Sequence, residues 1–142
     1  MVLTLQTELA VRETTEYGPK LIKPDDVAEY LRDMKLMTQE AFVVIGLNAK
    51  NCVINKHLVS IGTVSSTLVH PRECFKPVLL DCASSVILAH NHPSGDPTPS
   101  AEDIKITRQL VSAGEVLGIR VLDHVILGSD HLSLKEAGLV KF

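Results

Sequence analysis

The chain has 142 residues, 45% of them hydrophobic, which suffices to bury the core of one domain without disulfide bonds or a structural metal. Its 14 Lys and Arg residues against 17 Asp and Glu residues give a formal net charge of -3, which excludes a general electrostatic attraction for phosphate backbones. No hydrophobic run approaches the length of a membrane span and no signal peptide is visible, so we expect a cytoplasmic protein without membrane association.

The first half of the chain is predicted to contain an arm, one helix and three strands. We assign residues 1–24 to an N-terminal arm or extra strand and residues 25–142 to a single domain. A helix begins at Pro24, because Pro followed by two acidic residues is typical of a first helical turn, and it continues to about residue 36. The predicted strands cover residues 41–47, 52–55 and 58–63.

The second half alternates helices and strands. The predicted elements are a helix over 71–82, a strand over 86–89, a helix over 101–117 that ends at Gly118, strands over 119–127 and 132–134, and a short terminal helical segment. The residues predicted to face inward are Phe75, Val78, Leu79 and Cys82 on the helix over 71–82, and Ile104, Thr107, Leu110, Val111 and Leu117 on the helix over 101–117. This order predicts an α/β domain with a mixed β-sheet flanked by helices.

The segment His90-Asn91-His92 carries the strongest chemical signal. It follows an apolar run typical of a buried strand, on which residues i and i+2 share a face, so the two imidazoles are expected to project together. A loop rich in Pro, Gly and Ser then leads into a helix whose first turn brings Asp103 back toward the histidines. Two His and one carboxylate leave one tetrahedral position open, as in a catalytic zinc site.

Ser100 and Asp103 also fit a purely structural role. The spacing Ser-x-x-Asp is close to a capping box, in which the two side chains bond the free N–H groups of a helix start. Capping and metal binding are compatible, and both interpretations stay open at this point.

The pattern His-x-His, seven residues, Ser, two residues, Asp resembles the motif of JAB/MPN metalloenzymes. The wider sequence Ala-His-Asn-His-Pro-Ser-Gly resembles the RadC family more narrowly, and residues 62–63, 70–73 and 122–124 add further matches. The resemblance covers roughly residues 25–142 and implies a JAB/MPN-like (cytidine-deaminase-like) architecture. It also implies Zn²⁺ as the cofactor, bound by His90, His92 and Asp103, with Ser100 donating to a developing oxyanion.

Several acidic residues are candidates for the acid/base role. In the JAB family a Glu at the entry to an early strand does this work, and Glu40, directly before the strand over 41–47, fits that context best. Glu73 is the main alternative, although it looks like first-turn material of a helix, and Glu102 and Asp96 follow behind.

The remaining histidines are expected to be structural. They are His57, His70, His124 and His131. Asp123-His124 is a weak candidate for supporting a metal-bound imidazole through its free ring nitrogen, and Asn91 is expected to point away from the metal on the other strand face.

These observations favour a zinc-dependent hydrolase that cleaves an amide, peptide or isopeptide-like bond in an unknown peptide or amide substrate. The alternative is a non-catalytic or metal-structured interaction module in DNA repair, with a DNA-repair protein as its partner. A nuclease is disfavoured, because phosphoryl transfer more often uses carboxylate-rich two-metal sites. Longer RadC-like proteins carry an N-terminal helical module, for which this chain is expected to have no room.

We predict that this chain alone has no strong affinity for DNA. Its charge is acidic and it shows no basic cluster with interleaved aromatic residues. Titration of labelled duplex and single-stranded DNA at low and physiological salt checks this. A dissociation constant below about 1 µM that survives physiological salt would contradict the prediction and favour the interaction module.

Overall fold

The computed structural model describes residues 17–64 and 68–142. Most of the predicted N-terminal arm or extra strand lies outside these residues. The described end of that segment pairs briefly with the chain near residue 53: the Gly18 N–H donates to the Val53 carbonyl over 2.8 Å, and the Val53 N–H donates to the Pro19 carbonyl over 3.0 Å.

A five-stranded mixed sheet forms the centre of the described residues, with the order β2-β1-β3-β4-β5. Its strands are β1 (Ala41–Leu47), β2 (Val53–Ile61), β3 (Ser85–Asn91), β4 (Arg120–Leu127) and β5 (His131–Ser133). The β3–β4 pair is parallel and the other three pairs are antiparallel. Parallel neighbours need a crossover, and here the crossover is a helix, so the predicted α/β class with a mixed sheet is confirmed.

Three α-helices flank this sheet: α1 (Pro24–Tyr30), α2 (Pro71–Leu80) and α3 (Ala101–Leu117). A short 3₁₀ helix, Arg32–Leu36, continues from α1. The α3 helix ends where the sequence predicts, because Gly118 adopts the left-handed conformation (φ 72°) that a C-cap requires. None of the helices in the described ranges is long and apolar enough to cross a membrane.

The core has two layers, one on each face of the sheet. Every residue of β1 and β3 is buried, which explains why β1 and residues 86–89 of β3 are continuous apolar runs without polar alternation. One layer packs α1 against side chains such as Ile45 and Ile87, and the other packs α2 and α3 against side chains such as Phe42 and Leu88.

Two details of the strands and the C-terminus differ from the prediction. Residues 53–61 form one strand instead of two, because Lys56 and His57, where the sequence pattern suggests a break, pair with Ile45 and Val44 of β1 without interruption. After β5 the chain forms hydrogen-bonded turns instead of a terminal helical segment.

The predicted inward faces of α2 and α3 were partly wrong. On α2, Leu79 is exposed, and Cys82 lies beyond the helix end and is also exposed. On α3, Leu117 is exposed. The buried stripe of α3 consists of Asp103, Ile106, Thr107, Leu110 and Gly114. Three of these five residues are polar or lack a side chain. Hydrophobic periodicity is a weak guide to such residues, so the predicted inward face of α3 was rotated about the helix axis relative to the observed one.

Candidate metal centre

The candidate site lies at the carboxyl end of β3, beside the beginning of β1 and the first turn of α3. His90 is the next-to-last residue of β3 and His92 follows the strand directly. Asp103 is in the first turn of α3, and Glu40 directly precedes β1. The sheet and helix therefore bring Glu40 close to three residues that lie much later in the chain.

His90, His92 and Asp103 converge on one point. The Nε2 atoms of the two histidines are 2.9 Å apart. The Asp103 carboxylate lies 3.2 Å from Nε2 of His90 through Oδ1 and 3.3 Å from Nε2 of His92 through Oδ2. Each residue thus offers one ligand atom, and the group can hold a metal ion.

A backbone carbonyl fixes the proton position on His92. Its Nδ1 lies 2.8 Å from the carbonyl oxygen of Asp96, and a carbonyl can only accept. Nδ1 of His92 therefore donates, and in the neutral ring Nε2 keeps its lone pair and faces His90 and Asp103.

Asp103 caps its helix and faces the histidines at the same time. Its Oδ2 accepts from the Ser100 N–H over 2.8 Å, and the Ser100 hydroxyl accepts from the Asp103 N–H over 3.1 Å. Burial would raise the pKa of Asp103, but its interactions with His90, together with the bonds from Ser100, outweigh burial and hold the pKa well below its ordinary value. The two interpretations of Ser100 and Asp103 are both compatible with this geometry.

Glu40 and Ser100 share one cleft with the metal group. The cleft has a volume of about 350 Å³. It is lined by Glu40, Thr63, Val64, His92, Pro93, Ser94, Ser100, Glu102 and Asp103. One oxygen of Glu40 accepts from the Val64 N–H over 2.9 Å, and the Glu40 carbonyl accepts from the Gly62 N–H over 2.8 Å.

The other proposed acids have different surroundings. Glu73 is exposed in the first turn of α2 and does not line this cleft. Asp96 is exposed and accepts hydrogen bonds from the side chain and backbone of Thr98, which lower the pKa of Asp96. Glu102 lines the cleft beside Ser100.

Asn91 positions the residues on either side of Glu40. Its side-chain oxygen accepts from the Ala41 N–H over 2.7 Å, and its side-chain amide donates to the Gln39 carbonyl over 3.0 Å. It is buried, so these bonds also satisfy the amide. Strand alternation predicted only that Asn91 points away from the metal, and no role followed from that. The signal for one was a polar residue between two histidines at the end of an otherwise buried strand.

His124 contacts the metal group directly. It is completely buried on β4, and its Nε2 lies 2.8 Å from Nδ1 of His90. Burial is the main cause that lowers the pKa of His124 well below its ordinary value, and its closeness to His90 lowers it further, so the ring is neutral. The neighbouring Asp123 instead bonds Ser133 and the backbone of Lys135. The contact to His90 therefore comes from His124 and not from the Asp123 carboxylate.

The loop between β3 and α3 is held against the end of β4. The His92 N–H donates to the Leu127 carbonyl and the Ser129 N–H donates to the Gly95 carbonyl, both over 2.7 Å. A Cβ atom on Gly128 would come within 2.4 Å of the Gly95 carbonyl oxygen, so this close approach requires glycine.

Together, the mixed sheet and the buried His-His-Asp group define an α/β domain with a candidate metal centre at a strand end. A family model described as the RadC-like JAB domain matches residues 21–139. The chain belongs to this RadC-like JAB domain family.

Several curated relatives share about half of their residues with this chain over the matched region. A protein named UPF0758 protein TTE0897 from Caldanaerobacter subterraneus subsp. tengcongensis is 51% identical over 121 residues, which cover 84% of this chain and 52% of the relative. UPF0758 proteins of Desulfitobacterium hafniense and Bacillus pumilus are each 48% identical, over 86% and 89% of this chain and 55% and 57% of the relatives. The chain thus spans about half the length of these relatives.

We predict that Asn91→Leu destabilises the beginning of β1 without removing the metal ligands. The buried Ala41 N–H would lose its acceptor, which should lower the free energy of unfolding by about 1–3 kcal/mol. Denaturant unfolding and faster hydrogen exchange at the Ala41 amide measure the effect. Asn55→Leu, at an exposed position of β2, is the matched control. Wild-type exchange at Ala41 in the Asn91 variant would contradict the proposed positioning role.

Proposed function

We propose that this domain is a zinc-dependent hydrolase that cleaves an amide, peptide or isopeptide-like bond. The observation that carries the proposal is that His92 and Asp103, two members of the group that can hold a metal ion, line the same cleft as Glu40. Membership of the RadC-like JAB domain family supports the same class of activity. The relatives are named only as UPF0758 proteins, and this name assigns them no reaction.

The donor set favours zinc. Two imidazole nitrogens and one carboxylate oxygen are the ligands of several mononuclear hydrolytic zinc sites, which keep the fourth position open. Zinc bonds these atoms at about 2.0–2.2 Å, so tetrahedral ligands lie roughly 3.3–3.6 Å from one another. The two Nε2 atoms are 2.9 Å apart, and they lie 3.2 and 3.3 Å from the Oδ1 and Oδ2 atoms of the Asp103 carboxylate, so the group needs only small adjustments to reach this geometry.

The protein residues have separate tasks in the proposed reaction. Bound zinc would supply Lewis acidity and would lower the pKa of water toward about 7. Glu40, held through one oxygen by the Val64 N–H, would accept the proton of the attacking water and return it to the leaving nitrogen. The Ser100 hydroxyl accepts from the Asp103 N–H and can still donate, so it would stabilise the negative charge on the substrate carbonyl oxygen.

The proposed substrate is a peptide or a small amide conjugate that binds in this cleft, which Thr63 and Pro93 also line. Association with DNA repair, where it occurs, would come through a protein partner, because the net charge of -3 gives the chain no general attraction for nucleic acid.

We predict that the purified protein binds close to one zinc ion per chain. The His90→Ala/His92→Ala double variant should lose it, because only the Asp103 ligand would remain. Metal analysis after exposure to equimolar zinc measures the stoichiometry. His57→Ala/His131→Ala, which removes two histidines that pair with Asp81 and Asp25 elsewhere, is the matched control. Equal zinc content in the wild type and the His90/His92 variant would place the metal elsewhere.

We predict that Glu40→Gln keeps zinc and loses turnover. An amide at this position can still accept from the Val64 N–H but cannot take a proton, so the rate should fall by about 10²- to 10⁴-fold. The wild type is first screened against peptide, isopeptide and DNA substrates, and the variant is then assayed on whichever is cleaved. Glu73→Gln and Glu102→Gln are the controls. Should one of these abolish turnover while Glu40→Gln retains it, Glu40 is not the base.

A further inference from the structure

A chain of hydrogen bonds leads from His90 away from the metal group and back to the helix that carries Asp103. Nδ1 of His90 lies 2.8 Å from Nε2 of His124, and Nδ1 of His124 lies 2.6 Å from the Thr107 hydroxyl oxygen. That hydroxyl lies 2.6 Å from the backbone carbonyl oxygen of Asp103, one helical turn earlier. His90, His124 and Thr107 are each 0% exposed, so water does not reach these groups.

The backbone carbonyl of Asp103 determines which group donates in each of these three hydrogen bonds. A carbonyl can only accept, so the Thr107 hydroxyl donates its single proton there. The hydroxyl must then accept from Nδ1 of His124, which in a neutral ring leaves a lone pair on Nε2 of His124. That lone pair accepts from Nδ1 of His90. The opposite direction would leave the Thr107 and Asp103 oxygens 2.6 Å apart without a proton between them.

The consequence for His90 is a fixed tautomer. With its proton on Nδ1, the neutral ring keeps the lone pair on Nε2, the atom that faces His92 and Asp103. His92 has the same tautomer through the carbonyl of Asp96. The carbonyl of Asp96 thus acts on His92 directly, and the carbonyl of Asp103 acts on His90 through Thr107 and His124. Both Nε2 atoms therefore keep a lone pair that can bind a cation.

We propose that Thr107 and His124 are positioning residues that hold His90 in the tautomer able to bind a metal. The proposal rests on the metal site of the proposed function, but its direct readout is the proton position in the metal-free protein. Thr107 lies two hydrogen bonds from His90 and touches no metal ligand atom, so a simple packing role would not affect the proton on His90.

Thr107→Val tests this hydrogen-bond relay from Asp103 through Thr107 and His124 to His90, because valine matches threonine in shape and lacks the hydroxyl. The buried Nδ1 proton of His124 would lose its acceptor, and leaving it unpaired is costly. His124 avoids this loss by carrying its proton on Nε2 and donating to His90, which then carries its own proton on Nε2, where it blocks metal binding. Thr107→Ser keeps the hydroxyl and should keep the wild-type tautomer.

The tautomers are read by long-range ¹H–¹⁵N correlation of histidine-labelled, metal-free protein at mildly alkaline pH. Nδ1 of His90 should be the protonated nitrogen in the wild type and in Thr107→Ser, and the unprotonated one in Thr107→Val. Ser133→Ala removes another buried hydroxyl, on β5, and should leave the His90 signals unchanged. Protonation of His90 at Nε2 in the wild type, or the same tautomer in Thr107→Val as in the wild type, would overturn the proposal.

Metal titration of the same variants gives the second readout. Zinc affinity should fall by about 10- to 100-fold in Thr107→Val and remain near the wild-type value in Thr107→Ser and Ser133→Ala. Equal affinity in Thr107→Val and the wild type would overturn the relay. A wild type that binds no zinc would overturn the proposed function instead, and the ¹⁵N data would still decide the tautomer on their own.

Discussion

The burial of His90 at the end of β3 is the constraint on which the rest of the site depends. Both nitrogens of an imidazole that is 0% exposed need partners, since an unpaired buried polar group costs about 1–3 kcal/mol. The fold provides His124 on one side and His92 with Asp103 on the other. The capping of α3 and the loop held on β4 keep these partners within hydrogen-bond distance.

The same arrangement links the stability of the fold to its ligand. Nε2 lone pairs that face each other and a carboxylate are unfavourable unless a proton or a cation lies among them. Because the pKa of Asp103 is held low, its carboxylate is already ionised at neutral pH and releases no proton when a cation binds. A cation that binds only the folded chain would therefore also stabilise the fold by mass action.

Local sequence signals predicted the parts of the molecule that depend on neighbours along the chain. The bounds of β1 and α3 and the glycine that ends α3 follow from apolar runs, helical spacing and capping preferences. The convergence of the histidines with Asp103 follows from strand alternation and a helix start. The sequence assigned Asn91 no role and named His124 only together with Asp123, because the partners of Asn91 and His124 lie 50 and 34 residues away, and only the pairing of β3 with β1 and β4 brings them together.

The topology separates the candidate metal ligands from Glu40, the proposed acid/base residue. The segment from β3 through α3 to β4 carries both histidines of the site, Asp103, and the supporting Thr107 and His124. Asp103 and Thr107 are one helical turn apart, so a shift of α3 moves a ligand and its support together. Glu40 comes from the other side of β3, before the antiparallel strand β1, and its position depends on different bonds. Substitutions around Glu40 would therefore affect the proposed reaction while the segment that carries the candidate metal ligands stays intact.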